Sequence, residues 1–331
     1  MNKFLLLLSV VLVFLFSGCS TKKVYEPQFV DADWSHYGDR DQEIIDVGSN
    51  VALLEDGTVL AKDGIVDIKV DSSQRVISDS SGWIISSKID GNLTISNIQN
   101  PENRTIFELK KTIASASIKY NMLAVLFADS EMALYDINTK ALILKEQGSK
   151  SLAVDSRIAT PHFMNNLVLF STLDGKVVII NTEKKKKLRT IIVSTEDNFN
   201  NIIYFNVIDN KIIAATSTKI LSLASKEIRV KYEIRDMVYD GKDIYITTKQ
   251  GEVISLTPDM QVNAKIKFPF AHFLGLISHK DKLYLLEKEG YIIELEKDLY
   301  DYSVHEVDIE DGYIFVGDKT FYVADEYISV E

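Results

Sequence analysis

The stretch NLVLFSTLDGKVVIINTEKKKKLRTI, residues 166–191, decides the fold. Apolar side chains run from Leu167 to Phe170, the chain turns at Asp174-Gly175-Lys176, and a second apolar run follows from Val177 to Ile180. An Asp-Gly tip supplies the positive φ angles of a type I′ turn, whose twist matches the strands it joins. The stretch therefore reads as a β-hairpin followed by a polar turn and a further strand.

The pattern recurs. Similar copies are NVALLEDGTVLAK from Asn50, GWIISSKIDGNLTISNI from Gly82, NMLAVLFADSEMALYDI from Asn121, NKIIAATSTKILSLAS from Asn210, KDIYITTKQGEVISLTP from Lys242, DKLYLLEKEGYIIELEK from Asp281 and GYIFVGDKTFYVAD from Gly312. Their turns fall at Gly57, Gly91, Ser130, Gly175, Ser217, Gly251, Gly290 and Asp318, a spacing of about 37 residues that suits a four-stranded unit. A preceding strand, such as 201–209, and a following one, such as 262–268, complete each unit. Val, Ile, Leu, Tyr and Phe dominate and no helical period appears, so the chain is all-β. Four-stranded repeats of this length predict a β-propeller. Eight copies predict eight blades, with seven open if the first and last copies share one; the last is the shortest. Two sandwich domains are the alternative, but sandwich strands do not repeat so regularly.

The N-terminus reads separately. Lys3 precedes an apolar run from Phe4 to Phe16 and then Ser17-Gly18-Cys19, too short to span a membrane comfortably and ending in small residues as a secretory signal does. The domain expectation is a signal over 1–18, a tether over 19–37 and a propeller over 38–331. Cys19 is the single cysteine of 331 residues, which excludes a disulfide scaffold and a multi-cysteine metal site. Forty-eight acids against 37 bases give a net charge of -11, the wrong sign for tracking a phosphate backbone, so nucleic acid is not an expected partner.

Phe16-Ser17-Gly18-Cys19 resembles a bacterial lipobox, with phenylalanine at the usual leucine. That resemblance implies cleavage between Gly18 and Cys19 and acylation of Cys19, and Ser20 after the cysteine resembles the pattern sent to the outer membrane. Several acyl chains would hold the protein stably at a bilayer. The 166–191 stretch resembles the quinoprotein-type (PQQ-like) propeller repeat most strongly at Asp174-Gly175-Lys176, although Lys187 and Ile191 stand near the repeat's usual closing glycine and tryptophan. With the lipobox and the length, the chain is similar to the BamB-like family of outer-membrane assembly lipoproteins. The resemblance implies a non-catalytic scaffold without cofactor, lipid-anchored in the outer membrane and facing the periplasm. It would be monomeric within a complex, docking a BamA-like barrel-forming subunit and guiding unfolded β-barrel substrates by pairing with strand edges. In that family a connection leading into a middle blade touches this subunit. The corresponding stretch is 154–163, with Pro161 on the family's proline, Arg157 at a usual glycine and Ser156 at a usual arginine. The resemblance thus implies Arg157 and Pro161 as partner-binding residues; the plain reading is a blade connection with a solvated arginine.

Two other functions fit the same pattern. One is a lineage-specific envelope lipoprotein or adhesin whose propeller binds another partner. The other, a quinone-dependent dehydrogenase, needs a cofactor-stacking tryptophan and a calcium site, whereas Trp34 falls in the tether and Trp83 in the second copy. His36, His162, His272, His279 and His305 show no ligand spacing, and no hydrolase elbow or nucleotide loop occurs. No metal or catalytic residue is expected. Asp56, Asp90 and Asp174 sit in hairpin turns, where aspartate has a conformational role. Lys184 to Lys187 reads as a solvated tip before an outer strand, where lysines discourage edge pairing. Tyr204, Phe205, Phe268, Phe270, Phe273 and Tyr284 read as blade packing.

Overall fold

The computed structural model describes residues 23–330, so the signal, Cys19 and residues 20–22 of the expected tether lie outside the described residues. Strands alone build the rest: eight four-stranded antiparallel sheets arranged as an eight-bladed propeller. Blades one to seven span 44–69, 75–108, 113–147, 162–192, 204–231, 234–267 and 273–306. Strands Tyr204–Ile208 and Val262–Lys267 occupy the stretches assigned to them from sequence. The seven-blade option is excluded.

The last copy is short because its fourth strand comes from the other end of the chain. Blade eight consists of Ile314–Val316, Thr320–Val323, Glu326–Ser329 and the outermost strand Tyr37–Asp39, paired through Tyr37↔Ile328, Gly38↔Tyr327 and Asp39↔Glu326. The ring is closed by hydrogen bonds between chain ends, leaving no open sheet edge between first and last blades.

Blade faces stack on one another, so the two middle strands are buried on both sides and read as continuous apolar runs, as in Leu167–Ser171 and Ile244–Thr248. Outer strands alternate instead; Glu227–Lys231 exposes every second residue. Hydrophobic clusters fill the spaces between blades, for example Ile85, Phe107, Leu123 and Phe127 between blades two and three.

The innermost strands surround the axis and share a device that single-repeat patterning does not show. In blades one, two, three, six and seven the register shifts after the first residue or two, a β-bulge. The residues just past these bulges are Asp46, Ser78, Ser115, Asp236 and Gly275. Each of the four with side chains reaches the backbone of the chain next round the ring. Asp46 accepts from Val76 N (3.0 Å), Asp236 accepts from Leu276 N (3.0 Å), Ser78 donates to Ala116 O (2.7 Å) and Ser115 donates to Ala159 O (3.5 Å). At Gly275 a Cβ would lie 2.7 Å from Val316 Cγ2 of the next blade, so that position is closed to a side chain. Bulges near an axis add twist, and these side chains bond backbone groups of the neighbouring chain segment, joining blades.

The described part of the expected tether is laid on the disc. Asp31 N and Trp34 N donate to Val304 O (2.8 Å) and Glu306 O (2.9 Å), placing 31–34 along the outer strand of blade seven. Trp34 is buried, its Nε1 donates to Ser329 O (3.0 Å), and its ring meets His305 and Tyr284 edge-on. Tyr25 is buried too, edge-on to Phe268 and Tyr291.

Candidate partner-binding face

In each blade the turns between second and third strands share one face of the disc with the connections to the next blade. Two of those connections, 148–161 and 193–203, are long, and they fold onto each other over the mouth of the central channel. Ala159 N donates to Ile202 O and Phe199 N to Ala153 O, both at 2.9 Å. Asn201, fully buried, knits them further: its Oδ1 accepts from Asp155 N (2.6 Å), and its Nδ2 donates to the carbonyls of Asp155 (3.2 Å) and Arg157 (2.7 Å). Sequence placed Asn201 at the start of a strand; the strand begins at Tyr204, and Asn201 belongs to this cap. Across the channel, Ser49 of blade one donates to Ile158 O at 2.8 Å. A cleft of about 250 Å³ remains beside the cap, lined by Ser49, Arg75, Ile77, Thr112, Leu152 and Ile158 among others.

Arg157 lies inside this assembly. Its Nε and Nη2 grip Asp155 Oδ1 and Oδ2 at 2.9 and 2.6 Å, and its Nη1 donates to the carbonyl of Arg235, the bulged residue of blade six. Pro161 is buried in the channel wall, where its carbonyl accepts from Ser117 Oγ at 2.6 Å. The two residues singled out from sequence are therefore placed as a staple and a wall position, not as one exposed patch. Burial pushes the Asp155 carboxyl up, but the Arg157 hydrogen bonds and charge outweigh it and hold that carboxyl below the usual carboxylate range. Burial raises the carboxyl of nearby Asp236, which the Arg157 charge opposes.

Removing the guanidinium should loosen the cap without unfolding the disc. Arg157→Ala is expected to cost about 1–2 kcal/mol at neutral pH, less than breaking a fully buried pair because the side chain is 39% exposed and solvent screens it. The Asp155 contribution is present above the unfolded carboxylate value near 3.9 and lost as pH falls through the lower folded value. The stability gap between native protein and variant should therefore shrink on acidification below about pH 4, with faster amide exchange at 153–158. A gap that widens on acidification would refute the ion pair.

Among exposed polar residues such as Lys150, Ser156, Asp197 and Asn198, the cap also presents apolar side chains outward. Leu152 is 87% and Phe199 54% exposed, with Val154 partly exposed beside them. Ile89, on the blade-two turn of the same face, is also exposed, and its carbonyl accepts from Thr112 Oγ1 at 3.0 Å. Phe199 has φ of +51°, an unusual state for a bulky residue. Its two backbone hydrogen bonds, to Ala153 O and from Ser217 Oγ (2.9 Å), hold that conformation and keep the ring outward.

The remaining sequence candidates fall in structural places. Asp56 and Asp90 accept from the amides two residues on (2.9 and 3.0 Å), and Asp174 binds Thr172 Oγ1 and Lys176 Nζ. Lys184 and Lys185 form the turn before the exposed outer strand Lys186–Ile192, where Lys187 pairs with Glu146 at 3.1 Å. Phe268, Phe273 and Tyr284 are core, and Tyr204 and Phe205 are partly buried; Phe270 is the exception, with its ring exposed. Among the described residues no group of three or more His, Cys, Asp or Glu is disposed to hold a metal ion, and no helix is long and apolar enough to cross a membrane.

No family model matches the chain. Two curated relatives, the plasminogen-binding protein PgbB of Helicobacter pylori strains J99 and 26695, are each 30% identical over 352 aligned positions covering 92% of this chain. The chain spans 65% of their length. Among solved structures it is similar to BamB from Moraxella catarrhalis (TM-score 0.68, 13% identity, 90% of this chain and 98% of that one). It is also similar to the computationally designed Ika8 protein (0.62, 14%, 91% and 100%) and the C-terminal WD40 domain of Sif2 (0.66, 11%, 92% and 99%). At such identities these likenesses show the propeller fold alone.

Proposed function

We propose that the chain is a non-enzymatic, envelope-anchored protein-binding propeller that docks a folded protein on the channel-cap face. The observation that carries this is the exposed Leu152 and Phe199 pair, fixed by backbone and side-chain hydrogen bonds on a stapled cap. Apolar anchors presented rigidly bind with little ordering cost, and a few such residues carry most of a protein interface's energy. The curated relatives, which bind plasminogen by name, support a partner of that kind for an envelope lipoprotein anchored through Cys19. The barrel-assembly scaffold of the outer membrane, docked on a BamA-like subunit, is the second reading; the lipobox-like Phe16–Cys19 stretch together with the fold likeness to BamB favours it.

One experiment separates them. Purified plasminogen is titrated against the immobilised native protein, and in parallel the protein is captured in mild detergent from its own envelope and its companions identified by mass spectrometry. Saturable plasminogen binding supports the first reading, and recovery of the barrel-forming subunit supports the second. A folded, membrane-bound protein that does neither would remove both partners from consideration.

A further inference from the structure

A second apolar surface lies at the rim where blades six and seven meet, and the start of the described chain forms part of it. Two adjoining clefts of about 720 and 200 Å³ share Tyr25, Pro27, Gln28 and Tyr302. Phe270 (56% exposed) borders the larger and Phe29 (85%) the smaller; Tyr302 is half exposed between them. Tyr300, 81% exposed, stands two residues from Tyr302. Their footing is rigid: buried Phe268 contacts Tyr25 and Tyr302 edge-on, with ring centroids 6.2 and 5.1 Å apart. Phe270 is held at φ of +67°. Lys23 Nζ lies 5.3 Å from the Phe270 ring centroid, and Lys267 borders the same cleft.

Exposed aromatic rings beside lysines are the composition of a surface that sits at lipid headgroups. The chain's path gives the occupant. Lys23 is four residues beyond Cys19, and four extended residues reach at most about 14 Å. The headgroup layer is itself roughly 5–8 Å deep on each side. An acyl group on Cys19 would therefore hold this rim, and no other part of the disc as closely, against the bilayer, where tethering makes even weak contacts effective. Lys23 and Lys267 line the larger cleft with Glu26, and Asp31 lines the smaller, so the rim carries no excess of negative charge although the chain as a whole is at -11, and its exposed rings can approach a headgroup layer without net repulsion.

Resting on the Cys19 anchor reading, we propose that the rim formed by Phe29, Phe270, Tyr300 and Tyr302 seats the propeller on the phospholipid leaflet, fixing the disc's tilt relative to the membrane.

The test uses the protein purified in mild detergent from its own envelope and reconstituted on phosphatidylethanolamine and phosphatidylglycerol vesicles. Intact mass first reads whether Cys19 is acylated. An unacylated Cys19 overturns the anchor alone, and the same thiol is then coupled to a maleimide lipid so that the rim is still measured. Hydroxyl-radical footprinting compares the four rim aromatics with Tyr120, equally open at 81% and on a turn of blade three. Several-fold slower oxidation of the rim than of Tyr120, restored at Tyr300 and Tyr302 by Phe29→Asp with Phe270→Asp while the protein stays on the vesicles, is the expected result. Rim oxidation matching Tyr120 overturns the proposal. Protection that vanishes when protein is diluted on the vesicle surface also overturns it, since it assigns the rim to a second copy of the chain.

Discussion

Trp34→Ala should lower the unfolding free energy by about 3–5 kcal/mol, the range for truncating a buried large aromatic. The residue stands ahead of the first strand, yet its ring is 8% exposed and packs with Tyr284, Leu286, Phe321 and Ile328. Its indole nitrogen donates to Ser329 O across 295 residues of sequence. Three adjacent elements depend on it: the outer edge of blade seven, the strand Tyr37–Asp39 and the last strand, Glu326–Ser329. Losing the ring leaves a cavity at the seam where the chain closes on itself, so the loss is local in contacts but global in consequence. Trp83→Ala is the comparison, because that ring is only partly buried on the face of blade two and should cost less than half as much. Urea midpoints at unchanged denaturant slope read both values. Amide exchange should quicken first in Thr320–Val323 and Glu326–Ser329 for the Trp34 variant. A midpoint shift no larger than that of Trp83→Ala would sink the seam argument.

Trp34 also marks where sequence reading stops. The hairpins were legible because their information is local, although the turn type differs from the expected I′: at 174–175 only Gly175 takes a positive φ (+77°), not Asp174, and a Cβ on Gly175 would meet Ser194 O at 2.7 Å. The ring closure was not, since the strand Tyr37–Asp39 pairs with Glu326–Ser329 at the other end of the chain. Blade eight looked short for that reason alone. The post-bulge positions Asp46, Ser78, Ser115 and Asp236 were hidden differently, as scattered polar residues in apolar strands whose common role appears once the repeats are superposed round an axis. The cap left a faint trace. The two widest turn spacings, Ser130 to Gly175 and Gly175 to Ser217, bracket the connections 148–161 and 193–203, and surplus length in a regular repeat is where function gathers. Arg157 was found through a family resemblance and Phe199 was not found at all, because exposure and backbone strain are properties of the folded loop.

Leu152→Asp combined with Phe199→Asp should weaken partner binding by about a hundredfold or more, or roughly 2.7 kcal/mol, as expected when two central apolar anchors are lost. Both side chains point to solvent, so the change in fold stability should stay within about 0.5 kcal/mol. The separation between the two readouts is what makes the result informative. A second variant sharpens it. Phe199 sits at φ of +51°, a conformation glycine adopts without strain, so Phe199→Gly should leave stability unchanged or slightly raised while still losing the ring proposed to contact the partner. A purely structural loop would show the opposite pairing, with binding intact and stability the only thing to move. Tyr120→Asp serves as the control, because that exposed ring lies on a turn between first and second strands and hence on the opposite face of the disc. If Tyr120→Asp abolishes binding and the cap variants do not, the partner uses the other face and the cap is a structural plug alone. If the cap variants lose binding in step with Arg157→Ala, the staple and the anchors act as one unit, because loosening the loop disperses the two apolar side chains that its hydrogen bonds hold together.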